Sequence, residues 1–422
     1  MGKTTLVNQF ARTYKQAILL NLEKSSDRGY FEDYDDVKDI VELLFALNNI
    51  SIKDAAKILL FIDEIQESAR AIKLLRYFYE EIPELNVIAA GSLLEFALHR
   101  IQGFPVGRVE FLYLHPLNFR EYLMAISHEA ALGYLDNIPL KPIGRSVLQT
   151  LFNQYAIIGG MPEIVKQYKK SGSITDLPVI YESVWGTFQH DVEKYAANET
   201  ERKVIKHIIA TAHFYLDQRI KFQHFGNSNY RSREVGEAMR KLDDAKVIRL
   251  IYPTTNTATP VKPDIKKSPR LQFLDTGIVN YSLGAQPEMI GVSDLSNAYR
   301  GAIIPHLITQ ELISLNHLND KKPNFWVREK KQASSEVDLV FSYLDKVIPI
   351  EIKSGKTGRL KSLHKFVEQS GHPYAIRIYG GEFKIERSAT PNGVDYFLMN
   401  LPYFLGTKLP EYIEYFVSNY KL

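Results

Sequence analysis

Five apolar residues, Ile58 to Ile62, run without a break into Asp63 and Glu64. A run this short and β-prone fits a strand buried on both faces of a parallel sheet; a helix needs roughly ten residues or more. Asn86 to Ala90 repeats the pattern, Ala17 to Leu22 precedes it, and helical segments separate the three. Strands alternating with helices imply right-handed βαβ units. The expected fold class is therefore α/β, with a parallel-sheet domain over residues 1–125.

Ligands of open α/β sheets bind beyond the carboxyl ends of the strands, where Asp63 and Glu64 fall. The chain opens Gly2-Lys3-Thr4-Thr5 directly before a helical pattern over residues 5–16, with Leu6, Val7, Phe10 and Ala11 on one face. This is the second half of the phosphate loop G-x-x-x-x-G-K-[ST], in which backbone N–H groups and a helix N-terminus cradle phosphate. ATP and Mg²⁺ are the cofactors this chemistry requires. Gly2 and Thr5 belong to the cradle, Lys3 reaches the β and γ oxygens, and the Thr4 hydroxyl ligates Mg²⁺. Asp63 is expected to hold Mg²⁺ through water and Glu64 to polarise the attacking water, with a buried strand ending in a solvated Asp-Glu turn as the plainer alternative. Ser92, just beyond the third strand, is placed to sense the γ-phosphate or to cap the next helix with Glu95. Arg108 is the candidate arginine finger, with a solvated arginine as the plainer alternative.

At 422 residues the chain exceeds what one core supports, so two to four domains are expected. It has no cysteine, which excludes disulfides and thiolate metal sites and leaves oxygen or imidazole ligands for any metal. No apolar run approaches the ~20 residues of a membrane span and no basic-then-apolar leader opens the chain. These features predict a cytoplasmic protein with no membrane partner. The net charge of +3 is unevenly spread: Lys321 to Lys365 holds 11 Lys/Arg against 5 Asp/Glu, an excess of 6, which leaves −3 for the rest.

Residues 119–198 read as mostly helical, broken at Gly159-Gly160-Met161-Pro162, and 126–198 suit a helical lid. Over 199–260, two helical patterns precede the strand-like Val247–Tyr252, and Ser232 with Glu234 offers an N-cap, an order compatible with a winged helix. Thr254–Ser268, rich in Thr, Pro and Lys, reads as an exposed connection before a last domain over 261–422.

That last domain holds a hairpin pattern, Glu336–Phe341 and then Val347–Lys353. Its acids and lysine match D-x(12)-E-x-K, the pattern of PD-(D/E)xK nucleases: Asp338, Glu351 and Lys353. Alternation puts Glu351 and Lys353 on one strand face. Asp338 and Glu351 are hard oxygen ligands suited to Mg²⁺, with Lys353 orienting the attacking water. The alternative is a solvated hairpin with same-face ion pairs.

Taken together, G-K-T-T-L, F-I-D-E-I-Q, A-A-G-S-L-L, G-R-V and H-P-L-N-F-R-E-Y resemble, in order and spacing, a prokaryotic family of AAA+ ATPases. Gly159 to Glu163, Tyr230 to Val235 and Phe273 to Gly277 look like the same family's lid, winged-helix and linker signatures. The resemblance implies a P-loop AAA+ domain, helical lid, winged helix, and a C-terminal α/β restriction-endonuclease-like domain of unknown function. Members carry a strand and G-x-R-Q-x before G-K-T, where this sequence has Met1. The first half of the loop is thus expected to have been cut away or left out by a late start codon. A second departure is Pro305, standing where the family has an acid, with Glu311 further along the helix as substitute. The basic excess, with Trp326, Arg328, Lys330, Lys331, Lys356, Arg359 and Lys361, makes DNA the expected partner. A homo-oligomer, a non-cleaving scaffold and a defence or toxin system with protein partners are the competing expectations.

Overall fold

The computed structural model describes residues 2–91, 107–193, 196–292, 295, 298, 301–330, 333–353 and 360–421. The chain divides into two compact units, 1–114 and 115–422.

The first unit opens with α1 (Lys3–Ala11) and β1 (Gln16–Asn21), followed by α2 (Ser25–Glu32) and α3 (Val37–Leu47). Then come β2 (Ile58–Asp63), α4 (Ala69–Glu81) and β3 (Asn86–Ala89). The three strands form a parallel sheet in the order β1-β2-β3, with Leu19 opposite Phe61 and Ile62 opposite Ala89. Every residue of β2 is buried. Its even-numbered residues join Ile40, Leu44, Phe45, Ile72 and Phe78 on the α3–α4 side. Leu59 and Phe61 meet Val7 on the other. Burial on both faces is what the uninterrupted apolar run demands. The helices are fixed locally: Asp36 accepts the Lys38 amide at 2.8 Å, and Ser68 accepts that of Ala71 at 3.2 Å.

Helix α1 departs from expectation. It ends at Ala11 rather than 16, and of the four expected core residues only Val7 is buried; Leu6 and Phe10 are exposed. The sheet face beneath α1 offers Leu59 and Phe61 to a single row of side chains, Val7 and partly Ala11.

In the second unit a helical part contains α5 (Phe119–Ala125), α6 (Glu129–Leu135), α7 (Arg145–Ile158), α8 (Pro162–Ser171) and α9 (Pro178–Glu193). It continues through α10 (Glu199–Ala212) and α11 (Ser232–Asp244). Next come β4 (Ile248–Ile251), β5 (Pro253–Thr254), β6 (Arg270–Phe273), α12 (Thr276–Ser282) and α13 (Ile303–Ser314). The remainder holds β7 (Asn324–Lys330), β8 (Ala333–Tyr343), β9 (Lys346–Ile352), α14 (Lys361–Ser370), β10 (Tyr374–Tyr379), β11 (Lys384–Ala389), β12 (Asp395–Pro402) and α15 (Leu409–Asn419). A seven-stranded mixed sheet runs β11-β12-β10-β9-β8-β7-β5, beside a two-stranded antiparallel sheet of β4 and β6.

The segments expected as lid, helix-helix-strand and C-terminal domain all lie within the second unit. The helix-helix-strand order is present as α10, α11 and β4, but Ser232 is the first residue of α11 rather than its cap: the N-cap is Arg231, whose amide Glu234 accepts at 2.9 Å. The segment after it is not an exposed connection at its start. Pro253 and Thr254 pair with Phe325 and Trp326 of β7, and Thr254 is fully buried. Beyond them, Thr255 O accepts from Trp326 Nε1 at 3.3 Å and Thr257 donates to Gln369 O at 3.2 Å. Backbone pairing available only in the folded sheet overrides the turn-rich composition.

A buried polar junction joins the helical part to α12 and α13. Asp275, fully buried, accepts the Gly160 amide at 2.6 Å and caps α12 through the Ile278 amide at 3.1 Å. Any Cβ on Gly160 would fall inside van der Waals contact with Leu117 O, and one on Gly277 would strike Ile158 O. The G-G-M-P and L-D-T-G segments are therefore glycine-dependent because two backbones touch. Thr276 Oγ1 bonds His306 Nδ1 and Gln310 Oε1, both at 2.9 Å. Burial holds His306 neutral, down to about 4.

Candidate functional site

The first unit gathers its motif residues at the carboxyl end of β2. Gly2 takes φ 92°, a left-handed conformation that glycine adopts without strain, and turns the chain into α1, whose first ladder bond runs from Leu6 N to Gly2 O at 2.9 Å. The helix N-terminus, with Lys3, Thr4 and Thr5 in its first turn, leaves backbone donors and the positive end of the macrodipole facing outward. Thr4 Oγ1 donates to Asp63 Oδ2 at 2.7 Å, and Asp63 is only 6% exposed. Glu64 leaves the strand in the left-handed region, φ 52° and ψ 43°. Its amide returns to Asp63 Oδ1 at 3.1 Å, while its side chain accepts from Gln66 Nε2 at 2.6 Å. Holding a glutamate there costs of order 1 kcal/mol or more, the sort of strain that functional sites retain.

The hydroxyl of Thr4 and the carboxylate of Asp63 are oxygen donors of the kind Mg²⁺ takes, so the residues present fit the metal that the motif implies. Ser92 lies outside the described residues. Arg108 is not brought to Thr4 and Asp63: its Nε pairs with Glu80 Oε1 at 2.9 Å. Glu80 lies in the last turn of α4, which starts near Glu64 and runs about 18 Å before reaching it.

Residues 1–123 match the model of the AAA domain. The N-terminal part is thus similar to AAA domains. Downstream of the AAA domain, residues 149–289 match one domain of unknown function (DUF8612) and residues 300–399 another (DUF4143). A Walker-type ATPase of Pyrococcus abyssi is similar as a solved structure at 13% identity, over 67% of this chain and 88% of its own, with a TM-score of 0.41. No curated protein matches the chain. No helix among the described residues is long and apolar enough to cross a membrane.

In the second unit, β8 and β9 form the hairpin, antiparallel with Leu339 opposite Ile350. Asp338 and Glu351, one step beyond that pair, share the opposite face. Lys353 pairs with Glu351, and its backbone carbonyl accepts from Tyr403 at 2.6 Å. Burial, with Asp338 close by, pushes Glu351 up to about 7. Glu351 Oε2 is buried without a hydrogen-bond partner. The structure thus brings Asp338, Glu351 and Lys353 together.

Asp338, however, is already engaged on both oxygens. Oδ2 accepts the Ile352 amide at 2.8 Å, and Oδ1 accepts from Arg270 Nη2 at 3.1 Å. The same guanidinium donates from Nε to Glu336 at 2.9 Å and lies 3.8 Å from Asp217. Among the described residues no group of three or more His, Asp or Glu is placed to hold a metal ion. For Asp338, the expected Mg²⁺ role meets a protein cation in place.

Two other expectations are corrected here. Glu311 does not join Asp338 and Glu351: it is fully buried, both its oxygens accept the Phe119 amide, and Tyr155 OH donates to it at 2.6 Å. Its role is to satisfy the first turn of α5, which burial would otherwise leave unpaired. Trp326 is 1% exposed and packs edge-on against Phe366 at 5.2 Å, so it is core rather than a contact surface. Lys361 is exposed and Arg328 partly so. Lys331, Lys356, Arg359 and the Lys330 side chain lie outside the described residues. Sequence reading missed Arg270 and Asp217; the available signal was an arginine at the head of the otherwise strand-like Arg270-Leu271-Gln272-Phe273.

Proposed function

We propose that the AAA domain binds and hydrolyses ATP with Mg²⁺, and that its turnover controls how the C-terminal sheet holds DNA. The observation that carries the ATP part is the 2.7 Å bond from Thr4 to Asp63 beside the α1 N-terminus. The hydroxyl and the carboxylate would hold Mg²⁺, which supplies charge neutralisation at the phosphates when bound. Gly2 and the first amides of α1 take the phosphate oxygens, Lys3 adds a charge there, and Glu64, braced by Gln66, orients the attacking water. Titration with Mg·ATP tests this: Lys3→Ala should abolish binding, and Glu64→Gln should bind but turn over poorly. Equal hydrolysis by wild type and Glu64→Gln removes Glu64 from the mechanism.

The basic surplus between Lys321 and Lys365 supports DNA as the ligand of the second unit. Of the two readings of that unit, cutting and gripping, the engagement of Asp338 by Arg270 favours gripping. Phosphate-driven binding weakens steeply as salt rises, so DNA affinity measured across salt concentrations and with ATP or ADP present tests this part. A flat salt response counts against DNA and favours a protein partner.

A further inference from the structure

Arg270 stands where the hairpin's acids converge, and three features fix it there. Its strand is held from both sides: Arg270 pairs with Ile251 in the β4–β6 ladder, and the next residue, Leu271, donates its amide to Gln218 O at 3.1 Å. Its guanidinium lies over the Phe325 ring, 4.7 Å from the centroid, which shields that face from water. Its donors then reach Glu336, Asp338 and Asp217. Burial works against the charge of Arg270, yet the three carboxylates outweigh it and raise its affinity for the proton. A guanidinium presents five donors in a planar fork and never deprotonates in practice, so the cluster always contains this cation.

A divalent ion at Asp338 would need oxygen ligands at about 2.1 Å in near-octahedral array, with part of that shell occupied by water. Here one Asp338 oxygen faces Arg270 and the other faces the Ile352 amide. A dication beside the guanidinium would be repelled, and displacing Arg270 would strand a buried charge. We infer that Arg270 is a built-in cation occupying the metal position at Asp338, so that the β8–β9 hairpin carries its ligand without a divalent ion and without cutting it. The inference rests on the gripping reading of the second unit and says why that reading holds.

The test is Mn²⁺ titration of the nucleotide-free full chain, followed by the free-ion EPR signal, on wild type, Asp338→Asn, Arg270→Met and the double variant. Wild type and Asp338→Asn should take up the same amount of Mn²⁺. Arg270→Met should gain one site, lost again in the double variant. A wild-type site that disappears in Asp338→Asn overturns the inference. So does a folded Arg270→Met that gains nothing, because Arg270 is then not what excludes the metal. If thermal melting shows Arg270→Met unfolded, wild type against Asp338→Asn decides alone: equal uptake supports the inference and a difference overturns it. DNA affinity measured in EDTA on the same wild-type sample separates the two readings. DNA binding seen in Mg²⁺ but abolished by EDTA overturns the inference, whereas no DNA binding in either condition, with equal Mn²⁺ uptake, removes the DNA ligand and leaves the built-in cation standing.

Discussion

The Thr4 hydroxyl donates to the Asp63 carboxylate across 2.7 Å, joining the first turn of α1 to the end of β2. Fifty-nine positions separate the two residues, yet both belong to one oxygen pair at the carboxyl edge of the sheet. Thr4→Val keeps the shape and removes the oxygen. We predict a loss of Mg²⁺-dependent ATP affinity of about tenfold or more, with a stability change of only ~1 kcal/mol, the worth of one hydrogen bond. Nucleotide titration with and without Mg²⁺, beside thermal melting, checks it; unchanged affinity would take Thr4 out of the metal site.

Arg108 gives the opposite expectation. Its pairing with Glu80, on the last turn of α4, is open to solvent, which screens it. Arg108→Ala should therefore leave ATP affinity and stability near wild type in dilute solution. A drop in turnover that grows with protein concentration would show that the arginine serves a neighbouring copy.

Gly160→Ala should cost about 3 kcal/mol, because the new methyl would collide with Leu117 O, a backbone atom that cannot swing away. Gly172→Ala, at an open C-cap where nothing lies within 4 Å of the added carbon, should cost about 1 kcal/mol from its left-handed backbone alone. Denaturant midpoints for the two variants should fall in that order.

Glu311 predicts a pH dependence. Burial pushes its carboxyl up from 4.5 to about 7 in the folded chain. Between those values the folded state keeps a proton that the unfolded state has released. Stability contributed by Glu311 is therefore full below pH 4.5 and lost as pH rises through about 7, roughly 3 kcal/mol in all. Glu311→Gln cannot release a proton, so its stability should fall less between pH 5 and 8 than that of wild type. Parallel curves for the two proteins would show that Glu311 is ionised throughout.

What could be read from the sequence was what local pattern encodes. Ile58 to Glu64 announced a buried strand ending in a polar turn, and Asp338, Glu351 and Lys353 announced a shared hairpin face, because period and spacing act over a few residues. Partners far along the chain left no such trace. Glu311 finds the Phe119 amide 192 positions away, and Arg270 finds Asp338 across 68. Nothing in the neighbourhood of either residue distinguishes a catalytic acid from one that caps a helix. The composition of Thr254–Ser268 misled for a related reason: turn-forming residues describe local preference, while β7 supplies a partner strand that preference does not foresee.

Strands β5 and β6 lie on either side of residue 260, and each pairs away from its nearer neighbours: β5 with β7 in the large sheet, β6 back with β4. A gene fusion that joined new sequence at that point would strip β4 of its ladder and carry off β7 without its edge strand. The segment from Ile248 to Pro402, through which the ladder runs on by way of β9, β10 and β12, can therefore be exchanged between proteins only as one piece, and related chains should differ by insertion at its loops rather than by replacement of its second half.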